Sequence, residues 1–268
     1  MNELMKDSHE ADRELLVWLA RRRVFTTADL AATAACDRRQ AVLTAGRLAG
    51  LGFLRRVQRG VYAVVPLEAR PDGFQPDPVL AVSAALGKQY AFSHFSALML
   101  HGVSHQEHRT VHISAPGVRS RRLNVGTIPV HVHNVERKNW DSATSRVKRG
   151  GQELLVTTVE RTLMDLLSLP ADKQDYDELV NVFRSLLQRS DHPKLAVEAS
   201  TWGTKAAQAR LGHLLLHYGK TGGDKGIPFD GRTGDLATLK SPTYFGTRPR
   251  NPANRLDRVF NVIYPKVA

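Results

Sequence analysis

Apolar and polar positions follow two periods along this chain, and the period switches from segment to segment. From about Ser8 to Arg23, Leu15, Leu16, Leu19 and Ala20 recur at helical spacing with Trp18 beside them. That pattern predicts an amphipathic helix, and Arg21-Arg22-Arg23 in its last turn complement the helix dipole. Thr26-Thr27-Ala28-Asp29-Leu30-Ala31 predicts a short second helix, with a threonine N-cap and an acid in the first turn. After a break at Thr33–Cys36, Asp37–Ala49 predicts a third helix capped by Asp37 and stopped by Gly50-Leu51-Gly52. Phe53–Val57 and Val61–Val64 then read as strands around the tight turn Gln58-Arg59-Gly60. Two helices separated by a short break and followed by a basic hairpin give the order of a winged helix-turn-helix, assigned to residues 1–65.

Residues 66–78 are rich in proline and polar side chains and read as a linker. Beyond it the pattern is mixed. Pro78 opens a short apolar helix through Leu86, Tyr90-Ala91-Phe92 is extended, and Ser93 caps a helix through His101 that Gly102 stops. Arg109–Ser114 and Thr127–His133 alternate with the period of strands, with an exposed basic loop, Gly117–Arg122, between them. Glu153–Val156 is a further strand. Thr157–Leu167 follows as a helix with a capping box from Thr157 to Glu160. Tyr176–Gln188, Pro193–Ala199 (after Asp191) and Lys205–Tyr218 read as helices, and Arg258–Ile263 as a final strand. The expected fold class is α+β: an N-terminal winged helix-turn-helix domain, then a mixed α/β second domain over residues 79–268 with a loop-rich tail.

Charge sharpens this picture. Among 268 residues the formal net charge is +12, spread as +4, +5 and +3 over residues 1–64, 65–150 and 151–268. Such a balance favours a polyanionic partner, and a second basic surface outside the first domain is expected. The single Cys36 rules out an internal disulfide and a thiolate zinc cluster. The first residues lack the apolar core of a signal peptide and no apolar run approaches the ~20 residues of a membrane span. A cytoplasmic protein without a membrane partner is expected.

The residue types at the third helix suggest what it does. Arg38, Arg39, Gln40, Thr44 and Arg47 lie where a recognition helix reaches base edges in the major groove of double-stranded DNA. Arginine forks pair with guanine, glutamine with adenine, and a threonine methyl with thymine. Adjacent Arg38 and Arg39 point different ways, so one of them suits phosphate. In the hairpin, Arg55, Arg56 and Arg59 suit phosphate or minor-groove contact. One winged helix covers about 4–5 base pairs, so two copies bound cooperatively on a repeat are expected.

Catalytic and metal chemistry find less support. There is no nucleophile elbow and no phosphate-binding glycine loop; Gly222–Gly226 lacks the preceding strand and the spacing. The acids are scattered, and Asp172, Asp175, Asp177 and Glu178 surround a helix start where they suit the dipole. His94, His101, His105, His108 and His112 are clustered, His131 and His133 share a strand face, and His213 and His217 are one turn apart. None falls in a metalloprotease pattern, so packing or surface roles are expected for them, with no cofactor and no enzymatic activity.

Two segments go beyond the generic winged helix. Tyr90-Ala-Phe-Ser-His-Phe-Ser-Ala-Leu-Met-Leu-His-Gly102 and Leu155-Val-Thr-Thr-Val-Glu-Arg-Thr-Leu-Met-Asp-Leu-Leu167 resemble the second-domain signatures of AbiEi-type antitoxins. Phe25-Thr-Thr-Ala-Asp-Leu30 and Gly60-Val-Tyr62 add to that resemblance, which spans roughly Asp12–Leu169. It implies a type IV toxin–antitoxin component that binds inverted-repeat operator DNA upstream of its own operon. It also implies a second domain that counters a nucleotidyltransferase-like toxin without a required stable complex. The DNA-contact role maps to the Arg38–Arg47 helix and the Arg55–Arg59 hairpin; Arg248, Arg250, Arg255 and Arg258 in the tail have no counterpart. The alternatives are a stand-alone winged-helix regulator, or a basic protein- or RNA-interaction module without a toxin partner.

Overall fold

The computed structural model describes residues 14–15, 17–70, 72–87, 89–104, 109–118, 121–136, 140–219, 236–247 and 251–266. Expectations for residues 8–13, His105, His108, Arg119, Gly222–Gly226, Arg248 and Arg250 lie outside them. The described chain is α+β. Its contacts group it into two compact units, one of residues 1–91, 108–138 and 146–155, the other of residues 92–107, 139–145 and 156–268.

The first unit begins with helical residues 14, 15 and 17–21, followed by β1 (Val24–Thr26), α1 (Thr27–Thr33), α2 (Arg38–Gly50), β2 (Leu54–Gln58) and β3 (Val61–Val64). The caps are those that the side chains dictate. Thr26 and Asp29 form a reciprocal capping box, and the Asp37 carboxylate accepts from the Gln40 amide at 2.8 Å. Antiparallel pairing of β3 with both β1 and β2 makes a three-stranded sheet ordered β1-β3-β2. Strand β1 was not expected from three residues of sequence; it exists because β3 supplies its partner. Leu19, Phe25, Leu30, Ala41, Ala45, Leu54 and Tyr62 close a core over this sheet, with Trp18 edge-on to Phe25.

The same unit continues through α3 (Pro78–Leu86), with Pro78 in its first turn and Asp77 capping the amides of Val79 and Leu80. This helix is apolar nearly all round. A helix of that kind must be covered on every side, and Val79, Leu80, Ala81 and Val82 are wholly buried. It packs against β1 and β3 on one side, and against β5 (Val111–Pro116), β6 (Arg122–Val125) and β7 (Ile128–Val135) on the other. These belong to a six-stranded sheet ordered β6-β7-β5-β4-β9-β8, completed by β4 (Ala91–Phe92), β8 (Thr144–Arg149) and β9 (Gln152–Thr157). Parallel β5 and β7 pair in register from Val111↔Val130 to Pro116↔Val135.

Other ties hold the small sheet to the larger one's segments. The Gln152 side-chain amide donates to the Val24 carbonyl at 2.7 Å, and Arg149 pairs with Asp77 at 2.7 Å. Gly126, at φ +60° in the β6–β7 turn, lies against the Val57 carbonyl of the hairpin, where any Cβ would collide. The expected division at residues 65–79 is one of sequence segments, whereas contacts join residues 1–65 to this sheet in a single unit.

The second unit is mainly helical: α4 (His94–Leu100), α5 (Val159–Leu167), a 3₁₀ turn (Ala171–Lys173), α6 (Tyr176–Leu187), α7 (His192–Trp202) and α8 (Lys205–Tyr218). A small sheet ordered β10-β12-β11 completes it, with β10 (Thr243–Tyr244), β11 (Asn254–Asp257) and β12 (Val262–Pro265). Helix α5 runs through the middle, and every residue in it from Glu160 to Leu167 is buried.

Three local expectations change. The cap of α5 is Thr158 rather than Thr157, because the Thr157 hydroxyl is taken by Thr162 at 2.7 Å, while the Glu160 carboxylate accepts from the Asp191 amide. Arg258–Asn261 is a turn instead of a strand, since Asp257 Oδ1 accepts from the amides of Val259 and Phe260. Arg122, the expected end of the basic loop, instead opens strand β6 (Arg122–Val125), because β7 is beside it.

Leu80 fills the space between the two sheets of the first unit, so Leu80→Ala should cost about 2–5 kcal/mol of stability in urea unfolding. A loss below about 1 kcal/mol would mean that α3 is not tightly wedged there.

Candidate nucleic-acid interface

The accessible side of α2 is set by the residues that face into the core of the first unit. Ala41 and Ala45 are wholly buried one turn apart, which turns the opposite side of α2 outward. Gln40, Thr44 and Arg47, spaced i, i+4 and i+7, share one row along the flank of that buried side, Gln40 and Arg47 exposed and Thr44 half-buried. Arg39 and exposed Leu43 flank that row, and Arg38 is exposed in the first turn. The Asp37 cap places the helix N-terminus, with its partial positive charge, at the same end as Arg38, Arg39 and Gln40.

The hairpin arginines are distinguished by their surroundings. Arg55 is half-buried and donates to the Asp72 carbonyl at 3.4 Å, a tie within the fold. Arg56 is exposed, its Nε directed to the Gln58 carbonyl at 3.4 Å across the bulge that interrupts β2. Arg59 is exposed at the hairpin tip, next to Gly60 at φ +77°. Cys36 is half-buried against the core beneath α1 and α2, a packing position.

In the second unit the chemistry turns inward. Arg161 on α5 donates to Asp165 at 2.7 Å and lies 3.4 Å over the Trp202 ring. Burial pushes the Asp165 carboxyl up to about 6 against the pull of that guanidinium. Arg210, buried, donates to the carbonyls of Leu167, Leu169 and Tyr244 and so closes the C-terminus of α5 onto β10. His94 is buried at φ +51° and bonds Ser93 at 3.0 Å, and His101 bonds the Thr157 carbonyl at 2.8 Å. Both belong to the scaffold. A cleft lined by Phe95, Leu98, Gln174 and Val182 is rimmed by Asp172, Asp175 and Glu178, which repel a phosphate backbone.

Among the described residues, the histidines form two groups. His112, His131 and His133 meet across β5 and β7, and His213 and His217 meet Asp257. The second group is a closed hydrogen-bond relay. His213 donates from Nδ1 to Asp257 Oδ2 at 2.8 Å and accepts from the Tyr176 hydroxyl at 2.7 Å; His217 donates to the same carboxylate oxygen at 3.1 Å. Asp257 on β11 was missed in sequence because nothing local marks its partner on α8.

Burial holds His213 below its ordinary pKa, with the Asp257 hydrogen bond opposing, so it is neutral in the fold. The unfolded chain takes a proton on this group below about pH 6.5, and the folded chain does not. Its stability contribution is therefore present above that pH and lost as pH falls. His213→Gln should lower stability most near pH 7.5, with the gap to the natural chain narrowing by about pH 5. Thermal unfolding across that range checks it; a gap that widens toward acid would contradict a neutral His213.

The family model of the AbiEi antitoxin C-terminal domain matches residues 90–217. In fold the chain is similar to the crystal structure of the RV2827C protein from Mycobacterium tuberculosis, with a TM-score of 0.63 and 18% identity. That likeness covers 95% of this chain and 90% of the other, and at such identity it concerns the fold alone. No curated protein matches the sequence. Among the described residues, no helix is long and apolar enough to cross a membrane.

Proposed function

Because its residues 90–217 make this chain an AbiEi family antitoxin, we propose that it is also the repressor of its own operon. In this reading residues 1–65 are a winged helix-turn-helix that binds inverted-repeat operator DNA in the cytoplasm. Residues 66–78 lead out of it, and residues 79–268 counter a cognate nucleotidyltransferase-like toxin. Antitoxins of this family are regulatory rather than enzymatic proteins, and this reading takes the chain to be the same.

One observation carries the DNA reading: the row of Gln40, Thr44 and Arg47, exposed at both ends, along the flank of a helix that Ala41 and Ala45 lock onto the core. Its spacing matches the pitch at which a helix in the major groove meets successive base edges. Arg38 and Arg39 add donors at the helix start, Arg56 and Arg59 offer charge to the flanking backbone, and Arg55 braces the hairpin through Asp72. Two copies on a repeat supply the selectivity that one helix lacks.

The experiment is binding of the full chain and its variants to the DNA upstream of its gene. Arg47→Ala or Gln40→Ala should cost about 1–3 kcal/mol on the cognate site and relax preference at one base pair. Arg59→Ala should weaken all sequences alike and reduce the salt slope by about 1. If Arg47→Ala and Gln40→Ala leave cognate and scrambled DNA equally bound, α2 does not read sequence.

A further inference from the structure

The larger sheet of the first unit carries a cluster that DNA reading does not use. Period-two alternation sets His131 and His133 on one face of β7, and the parallel register places His112 opposite His131 and Ser114 opposite His133. The three imidazoles stack, His131 on His133 at 4.5 Å between centroids and His112 on His133 at 5.3 Å. His112 Nδ1 and His133 Nε2 are 3.0 Å apart, and one candidate ligand nitrogen from each ring lies within 4.8 Å of the other two. We propose that His112, His131 and His133 form a binding site for a borderline divalent transition metal such as Zn²⁺.

The donor set argues for that class. Three imidazoles grouped without a carboxylate among the described residues suit Zn²⁺, Co²⁺, Ni²⁺ or Cu²⁺ and offer little to Mg²⁺ or Ca²⁺, which take oxygen. A tetrahedral zinc with bonds of about 2.0–2.1 Å needs ligand nitrogens about 3.3 Å apart, close to the spacing of His112 and His133. Their present contact is a hydrogen bond between two neutral rings, so a metal displaces one shared proton. That proton moves to the other nitrogen of the same ring through solvent, with no net proton release.

Two further features fit a ligated site. The Ser114 hydroxyl, buried on the same face, has no hydrogen-bond partner among the described residues and can bond a metal-bound water or anion. Arg122 on β6 is opposite His131, and Arg121 precedes it; their charge favours an anionic fourth ligand over water.

The test is titration of the chelator-treated full chain with Co²⁺, read by its visible d–d absorption, and with Zn²⁺ in competition. The expected result is one equivalent with tetrahedral band intensity. His131→Gln, at a position less enclosed than His133, should keep the far-ultraviolet dichroism of the natural chain. It should weaken binding by more than the roughly 10–100-fold that loss of an outer-shell partner costs. His133→Gln should do the same, and His217→Gln should leave binding unchanged, because the His213–His217–Asp257 group is separate. No d–d band, or a band that survives His131→Gln and disappears in His217→Gln, would overturn the proposal.

Discussion

Helix α3 is the constraint on which the first unit rests. Of its nine residues, Pro78–Leu86, all but Ser83 are apolar, and Val79, Leu80, Ala81 and Val82 are wholly buried away from water while the others are half-buried. The three-stranded sheet covers one side and the β5–β7 part of the larger sheet covers the other. Burying Val79, Leu80 and Val82 contributes about 1.5–3 kcal/mol each, more than any surface ion pair of this chain could. The Gln40–Thr44–Arg47 row of α2 is therefore held by a scaffold that includes residues 108–138 and 146–155, and these fall within the family-matched segment. Gln152 on Val24 and Gly126 against Val57 fix the same junction at two more points. What binds at α2 and what alters the β5–β7 sheet act on one compact unit.

The family segment Leu155–Leu167 has a physical explanation letter by letter. A helix buried on all sides can hold polar residues only if each finds a partner. Thr158 caps the helix, Thr162 bonds Thr157, Glu160 receives the Asp191 amide, and Arg161 is shared between Asp165 and Trp202. Arg210 then donates to the Leu167 and Leu169 carbonyls at the far end. The motif thus specifies how α5 is packed, and it is silent about substrates. The segment lies within the residues matched by the antitoxin family model, and it leaves the partner to other surfaces.

Legibility in the sequence tracked locality. Caps set by a side chain three residues from the amide that donates to it, at Thr26, Asp37, Asp191 and Thr204, could be read directly or fell within a residue or two of the predicted helix starts. Lys205–Tyr218 matches its expected span, while β6 and β8 were missed because their polar side chains show no strand pattern without the neighbouring strand, and the β11–β12 turn was missed although its acceptor Asp257 is two residues away. The Gln40–Thr44–Arg47 row on α2 followed from helical period alone. The histidine cluster did not: period two puts His131 and His133 on one face, but only the parallel pairing of β5 brings His112 to them. Asp257 and His213, 44 residues apart, were illegible for the same reason.

The central claim is that the exposed row on α2 reads sequence. The most direct measurement is fluorescence anisotropy of the full chain on its own upstream DNA and on a scrambled duplex, at several salt concentrations. The account predicts binding to the upstream repeat about 10³-fold or more tighter than to the scrambled duplex, with that preference surviving near-physiological salt. Equal affinity for both duplexes, falling steeply with salt, would contradict it and leave only a basic surface meeting a polyanion.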